Sequence, residues 1–365
     1  MPNSDGLRTA QRNKKDEFYT QLIDIEKEMR FFKNKFEGKI VYCNCDDPYE
    51  SNFFKFFALN FNRLKLKKLI SVSFAGSPIV GEEFSLFENQ GRTFKISGRK
   101  AYKVTLTELK DVTGDGRENL DDVREIIKHR IRYLKKDGDF RSDECIKLLK
   151  EADIIVTNPP FSLFREYIAQ LFEYNKKFII IGNVNAITYK EIFPLIKDNK
   201  LWMGASIHSG DRKFYVPDDY PLNASGCGVD PNGKKFIRVK GVRWYTNIDY
   251  DERHEDLDLY KEYSPDEYPV YDNYDAINVN KTSEIPLDYD GVMGVPITFL
   301  DKYNPDQFKI IGMAKRGAGD PALRSKIYTK DKYPNYSDLN AGPVLLIDGV
   351  LKNTYPRILI KRIER

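Results

Sequence analysis

Asn158-Pro159-Pro160-Phe161 is the part of this chain whose residue types and spacing best suit chemistry. The chemistry is methyl transfer to the exocyclic amine of a nucleobase or an amide. Such a nitrogen is a poor nucleophile because its lone pair is delocalised into the ring or the carbonyl. The Asn158 side-chain oxygen and the Pro159 backbone carbonyl can both accept hydrogen bonds from the NH2 group. That localises the lone pair and aims it at a methyl sulfonium. Proline suits the position because its fixed φ holds the carbonyl on target. Phe161 offers a flat face for a base extruded from a duplex. The plainer alternative is a proline-rich turn that only closes a strand, with Phe161 in the core.

The flanking residues say how the turn is held. Ile154, Ile155, Val156 and Thr157 read as a short buried strand, which the two prolines stop because they cannot donate to a ladder. From Ser162 to Phe172, the spacing of Leu163, Phe164, Tyr167, Ile168, Leu171 and Phe172 predicts a helix. Strand, turn and helix place Asn158 and Phe161 at the carboxyl end of a parallel sheet, where open α/β sheets bind ligands. Further strands are expected at Lys39–Pro48, Leu66–Phe74 and Lys176–Ile187, with an aromatic helix at Ser51–Phe61. Residues 75–136 suggest an inserted hairpin and a helix around Asp121–Leu134. Leu201–Ser206 and Val242–Asp249 read as two strands joined by a Gly/Pro-rich excursion. The class is α/β: a doubly wound, mostly parallel sheet with a final antiparallel hairpin.

A methyl donor such as S-adenosylmethionine needs an acid for its ribose and a polar partner for its adenine amine. Asp46 or Asp47, at the end of the first strand, is the expected cofactor-facing carboxylate. The familiar Gly-x-Gly loop is missing, with Ser51 and Asn52 standing in its place. Asp139 is placed to accept from the donor's adenine amine while Phe140 packs on the ring. Alternatively, Asp139 is an acid at a helix N-terminus, favoured by the dipole.

The 365 residues suffice for one large and one smaller domain. Their 23 Tyr and 23 Phe supply both core and stacking surfaces, and a net charge of +4 points only weakly to a polyanion. Neither an apolar leader nor a membrane-length apolar run is read, so a cytoplasmic protein is expected. Cys43, Cys45, Cys145 and Cys227 have no zinc spacing and no disulfide framework, and the expectation is metal-independent chemistry. Arg8, Arg12, Lys14 and Lys15 form either an arm along phosphates or an idle tail. After Tyr250 the character changes: residues 251–300 carry a net charge of −10 and residues 301–365 a net +6. A catalytic domain is therefore expected over 1–250 and a second module over 251–365, its basic part facing a polyanion.

DEFYTQ, VYCNCDDP with SNFFKFF, GDFRS, DIIVTNPPFSLF, NVNAITYKE and DNYDAINVNKTSEIPLDYDGVMGVPITFL together resemble the EcoRI-type adenine-specific DNA methyltransferase family. The likeness runs from about Lys15 to Phe308 and returns at RILIKR, Arg357 to Arg362. It implies a class I S-adenosylmethionine-dependent fold with a carboxyl-terminal target-recognition domain. It also implies methylation of a flipped adenine in double-stranded DNA, either as the protective half of a restriction-modification pair with a separate endonuclease or as an orphan enzyme. On the matching motifs, Asn158, Pro159, Pro160 and Phe161 form the catalytic turn. Tyr19, Thr20, Asp46, Asp47, Asp139 and Phe140 line the donor site. The likeness points to GAATTC, methylated on its inner adenine. Departures over Ala75–Arg130, His208–Lys240 and Met313–Tyr355 leave the target sequence open. Competing readings are an RNA adenine or protein glutamine methyltransferase, which share the turn's logic, and a catalytically silent DNA-binding regulator.

Overall fold

The computed structural model describes residues 20–75, 100–208, 210–216, 222, 226–316 and 319–364. The chain divides into two compact units. One takes the described residues of Met1–Val184 and Ser209–Ile248; the other takes Asn185–His208 and Asp249–Arg365.

The first unit is built on a mixed sheet. Its strands include β1 (Ile40–Cys43), β2 (Lys68–Val72), β3 (Tyr102–Leu106), β4 (Arg132–Tyr133), β5 (Ile154–Thr157) and β6 (Lys177–Asn183). They lie in the order β4-β3-β2-β1-β5-β6, and strand Val242–Thr246 adds to β6. β2, β1, β5 and β6 are parallel neighbours, while β3, β4 and Val242–Thr246 run antiparallel to theirs. Every residue of β1 and β5 is buried, as strands covered on both faces require. The chain leaves β1 towards β2 on one side and returns with β5 on the other. The crevice between the carboxyl ends of β1 and β5 is therefore the topological switch point.

Helix Asn52–Leu59 covers this sheet with Phe53, Phe54, Phe56 and Phe57, all buried, and Ser51 caps it by accepting from the Phe53 N–H at 3.0 Å. The motif helix is shorter than the spacing predicts: a 3-10 turn, Phe161–Leu163, precedes Phe164–Glu173. The reason is local, since the Leu163 N–H bonds the Pro160 carbonyl at 3.0 Å. The excursion after residue 208 holds strands that the sequence reading missed. Asp211–Tyr215 and Gly228–Val229 flank Lys235–Lys240 in an antiparallel sheet. Its alternation is disguised, because cations and aromatics share the outward positions.

Among the described residues the helices of the second unit are short, at most six residues each. Its sheet runs Ile277–Asn278, Met293–Pro296, Arg357–Arg362, Phe308–Ala314, around a core of Tyr271, Tyr274, Ala276, Ala314, Leu345 and Leu359. A hairpin, Val344–Ile347 with Val350–Asn353, turns at Asp348 and Gly349, both with positive φ as a type I′ turn demands. Among the described residues no helix is long and apolar enough to cross a membrane.

Candidate active site

β5 starts beside β1 because Asp153 binds the Ile40 backbone from both sides: its N–H donates to the carbonyl at 2.9 Å, and its carboxylate accepts from the N–H at 2.8 Å. At the other end the turn leaves the sheet with Asn158 and Pro159 buried and Pro160 and Phe161 only half-buried. Phe164, three residues on, does the anchoring. Its ring meets Tyr245 edge-on at 5.0 Å and lies over Gly182, where a Cβ would come within 2.5 Å of it. Phe161 is thus spared from the core and keeps an accessible face.

Asp46 ties the loop after β1 to this turn. One carboxylate oxygen accepts from Ser51 Oγ at 2.6 Å and the other from the Thr157 hydroxyl, and the Asn158 N–H donates to the same carboxylate. Burial pushes its pKa up to about 6, although those hydrogen bonds pull the other way. The Ser71 hydroxyl donates to its backbone carbonyl. Asp47 is buried too, accepting from the Tyr49 N–H at 2.9 Å and the Tyr102 hydroxyl at 2.7 Å. Burial raises its pKa and drives the Tyr102 phenol far above its ordinary range. Both acids therefore turn inward and hold the loops at the switch point.

Three residues that sequence reasoning passed over complete the joint. Thr157 donates to Asp46 and accepts from the Cys45 N–H at 3.2 Å. The Asn44 side-chain oxygen accepts from the Tyr167 hydroxyl, whose pKa burial raises well above the usual value. Tyr167 in turn meets Phe140 edge-on at 5.1 Å. The available signal was polarity at strand ends: Asn44 and Thr157 each close an otherwise apolar run.

The Asp139–Phe140 loop reaches the same sheet edge through Gly138. That residue has φ +80, and a Cβ there would lie 2.2 Å from the Ser73 carbonyl just beyond β2. Phe140 is buried. Asp139 receives Arg141 through both oxygens, at 2.9 and 2.7 Å, and the Arg141 N–H at 2.8 Å.

Thr20 is buried, and its carbonyl accepts from Asn52 Nδ2 at 2.7 Å, which fastens Thr20 to the start of helix Asn52–Leu59. Thr20 Oγ1 and Asn44 Nδ2 are buried with no hydrogen-bond partner among the described residues. A hydroxyl and an amide NH2 left over beside the carboxyl end of β1 suit the polar atoms of a nucleoside donor. Tyr19, Arg12, Lys14 and Lys15 lie outside the described residues.

The four cysteines are free thiols. Asp111, Asp115 and Asp122 bring carboxylate oxygens within 4.8 Å of one another. The loop's own donors occupy them: Asp122 accepts from the Val112, Thr113 and Asn119 N–H groups as part of a helix capping box, and Asp111 from Gly114 and Gly116.

The family model described as adenine-specific methyltransferase EcoRI matches residues 6–363. The type II methyltransferase M.EcoRI of Escherichia coli is 49% identical over 311 residues, which is 85% of this chain and 89% of that protein. M.MgeORF184P of Mycoplasma genitalium is 37% identical, and M.MpnI of Mycoplasma pneumoniae 35%, each over 97% of both chains. No solved structure gives a significant match.

Proposed function

The chain belongs to the EcoRI family of adenine-specific methyltransferases, and from that premise we propose that Asn158-Pro159-Pro160-Phe161 performs its methyl transfer. It is a DNA adenine methyltransferase of the restriction-modification type. The observation that carries the assignment is the joint at the switch point. Asp46 holds the loop after β1 and the Asn158 backbone together, so donor-side and target-side loops meet at one crevice.

In that crevice Asn158 Oδ1 and the Pro159 carbonyl accept hydrogen bonds from the two N–H groups of the adenine amine, which localises the lone pair on its nitrogen. Phe161 stacks on the extruded ring. S-adenosylmethionine, when bound, supplies an electrophilic methyl group. Thr20 and Asn44 would hold its polar atoms, the Asp139–Phe140 loop would contribute to the same site, and Tyr19 is proposed as a further donor-site residue. Asp46 and Asp47 contribute by fixing the loops. Residues 251–365 act as the target-recognition domain, and Arg12, Lys14 and Lys15 lie along phosphates. GAATTC is the target proposed first, with a separate endonuclease cutting the same site when it is unmethylated.

The test is incorporation of label from methyl-labelled S-adenosylmethionine into duplex DNA, RNA or protein, followed by sequencing of methylated positions. Labelled adenine in duplex DNA is expected. Label confined to RNA or protein would overturn the assignment, and methylated adenine at another motif would overturn GAATTC alone.

A further inference from the structure

The two main strands of the excursion, Asp211–Tyr215 and Lys235–Lys240, form a ribbon with two unlike faces. Their register pairs Tyr215 with Phe236, Lys213 with Arg238, and Asp211 with Lys240. Alternation puts these six side chains on one face. Phe214, Ile237 and Val239, all buried, belong to the other, where Arg212 comes within 3.8 Å of Asp24. On the outer face Arg238 and Lys240 are exposed, and Lys213 sits 4.0 Å from the centre of the Phe236 ring. Two acids stand on this face, Asp211 and Asp230, the latter bound to the Tyr215 hydroxyl and attracted to Lys213, and no salt bridge to Arg238 or Lys240 occurs among the described residues. A sheet face that gathers three cations around two half-buried rings calls for an anionic partner with repeated charges.

Its position selects which one. The ribbon ends at Lys240, turns at Gly241 with φ +69, and enters the strand whose Val242 lies opposite Asn183 at the end of β6. The Asn183 amide donates to the Lys240 carbonyl at 3.2 Å. Thr157 pairs with Ile180, so the ribbon's root stands at the edge that bears Asn158, two strands across and three residues further on. At about 4.8 Å per strand and 3.3 Å per residue, that is roughly 14 Å. A duplex that offers a base to Asn158 carries phosphates over this distance on either side, one charge per about 1.7 Å of axis.

We propose that Lys213, Arg238 and Lys240, with Tyr215 and Phe236, form a ribbon that grips the phosphodiester backbone of duplex DNA beside the target adenine. This rests on the reading of duplex DNA as substrate. Tyr215 is held for the purpose by its hydroxyl, which donates to Asp230 at 2.8 Å, and its ring and that of Phe236 keep the Lys213 ammonium on the outer face.

The experiment compares the full-length protein with the triple variant Lys213→Gln, Arg238→Gln, Lys240→Gln. Binding to a fluorescent duplex is followed by anisotropy across a salt series. Each lost phosphate contact lowers the slope of log affinity against log salt by about 0.9, so a drop of about 2 to 3 is expected. At low salt the affinity should fall at least tenfold, with donor binding and thermal midpoint unchanged. The charge-keeping set Lys213→Arg, Arg238→Lys, Lys240→Arg should restore the slope, as a merely structural role would not require. Should the triple variant misfold, Arg238→Gln and Lys240→Gln, both at exposed positions, should each lower the slope by about 1. A parental slope in folded variants overturns the ribbon while duplex methylation by the parent still stands. A parent without affinity for duplex DNA overturns the substrate reading, and the ribbon with it.

Discussion

Replacing Asp46 with asparagine tests whether the carboxylate positions the Asn158–Phe161 turn for the proposed methyl transfer. Three donors converge on it: Ser51 Oγ at 2.6 Å, the Thr157 hydroxyl and the Asn158 N–H. An amide keeps one accepting oxygen and turns an NH2 towards the rest, so at least one donor loses its acceptor. A buried unsatisfied donor costs about 1–3 kcal/mol. If that cost falls on the turn in the transition state, kcat drops by roughly one to two decades. Stability moves differently. Asp46 is buried with its pKa pushed up to about 6, so ionising it in the fold costs about 3 kcal/mol at neutral pH relative to the unfolded chain. The variant escapes that cost, and its thermal midpoint at pH 7.5 should stay within a few degrees of the parent or exceed it. The pH dependence separates the two effects. Between the ordinary carboxylate pKa and about 6 the folded parent keeps a proton that the unfolded chain has lost. Parental stability therefore falls as pH rises through that window and is level above it. Protonation also converts one acceptor oxygen into a donor, as the amide does, so parental kcat should climb with pH through about 6 and the variant's should not. Steady-state methylation from pH 5 to 8, beside thermal melts at the same values, measures both. A variant that retains parental kcat and the same acidic limb would refute the positioning role.

Asn158→Ala should lower turnover by about two to three decades, the loss of an oriented acceptor, while donor affinity by calorimetry stays near parental. Near-normal turnover would remove Asn158 from the chemistry. Phe161→Ala should weaken capture of the flipped base by about 1–3 kcal/mol, read as lower fluorescence of an adenine analogue at the target position. Unchanged fluorescence and rate would make the ring idle. Gly138→Ala should lower the thermal midpoint and raise the apparent KM for the donor, since φ +80 alone costs a side chain about 1 kcal/mol or more and its Cβ would strike the Ser73 carbonyl. A midpoint within a degree of the parent would contradict this. His254 is bound by Asp306 at 2.6 Å and Asp249 at 3.0 Å, which hold its pKa above the usual imidazole range. The stability it adds is complete below the unfolded imidazole pKa and is lost as pH rises through the higher folded value. His254→Gln should flatten melts over that range, and an unaltered pH profile would count against it.

The Asn158–Phe161 turn and its strand were legible because two prolines after a short apolar run leave the backbone almost one choice. The helix after the turn was legible in its apolar face but not in its start, which depends on a single bond to the Pro160 carbonyl. β1, β2 and β6 announce themselves as apolar runs ending in polar residues. The ribbon strands did not, since Lys235–Lys240 alternates buried Ile237 and Val239 with cations in a stretch dominated by glycine and proline. At the site, residue type identified Asp46 and Asp47 as acids at a strand end, but not which way they face. Ser51 is five positions from Asp46, but Thr157 and Tyr102 are near only in space, Thr157 standing 111 positions from Asp46 and Tyr102 standing 55 from Asp47.

For the history of the gene, the joint at Asp46 behaves as a unit of inheritance. Its members come from separate stretches of chain and share one carboxylate, so their substitutions are epistatic. A change at Thr157 or Ser51 is harmful or harmless according to what stands at the other two positions. Lineages can therefore vary at positions outside the joint while these three stay locked or change together.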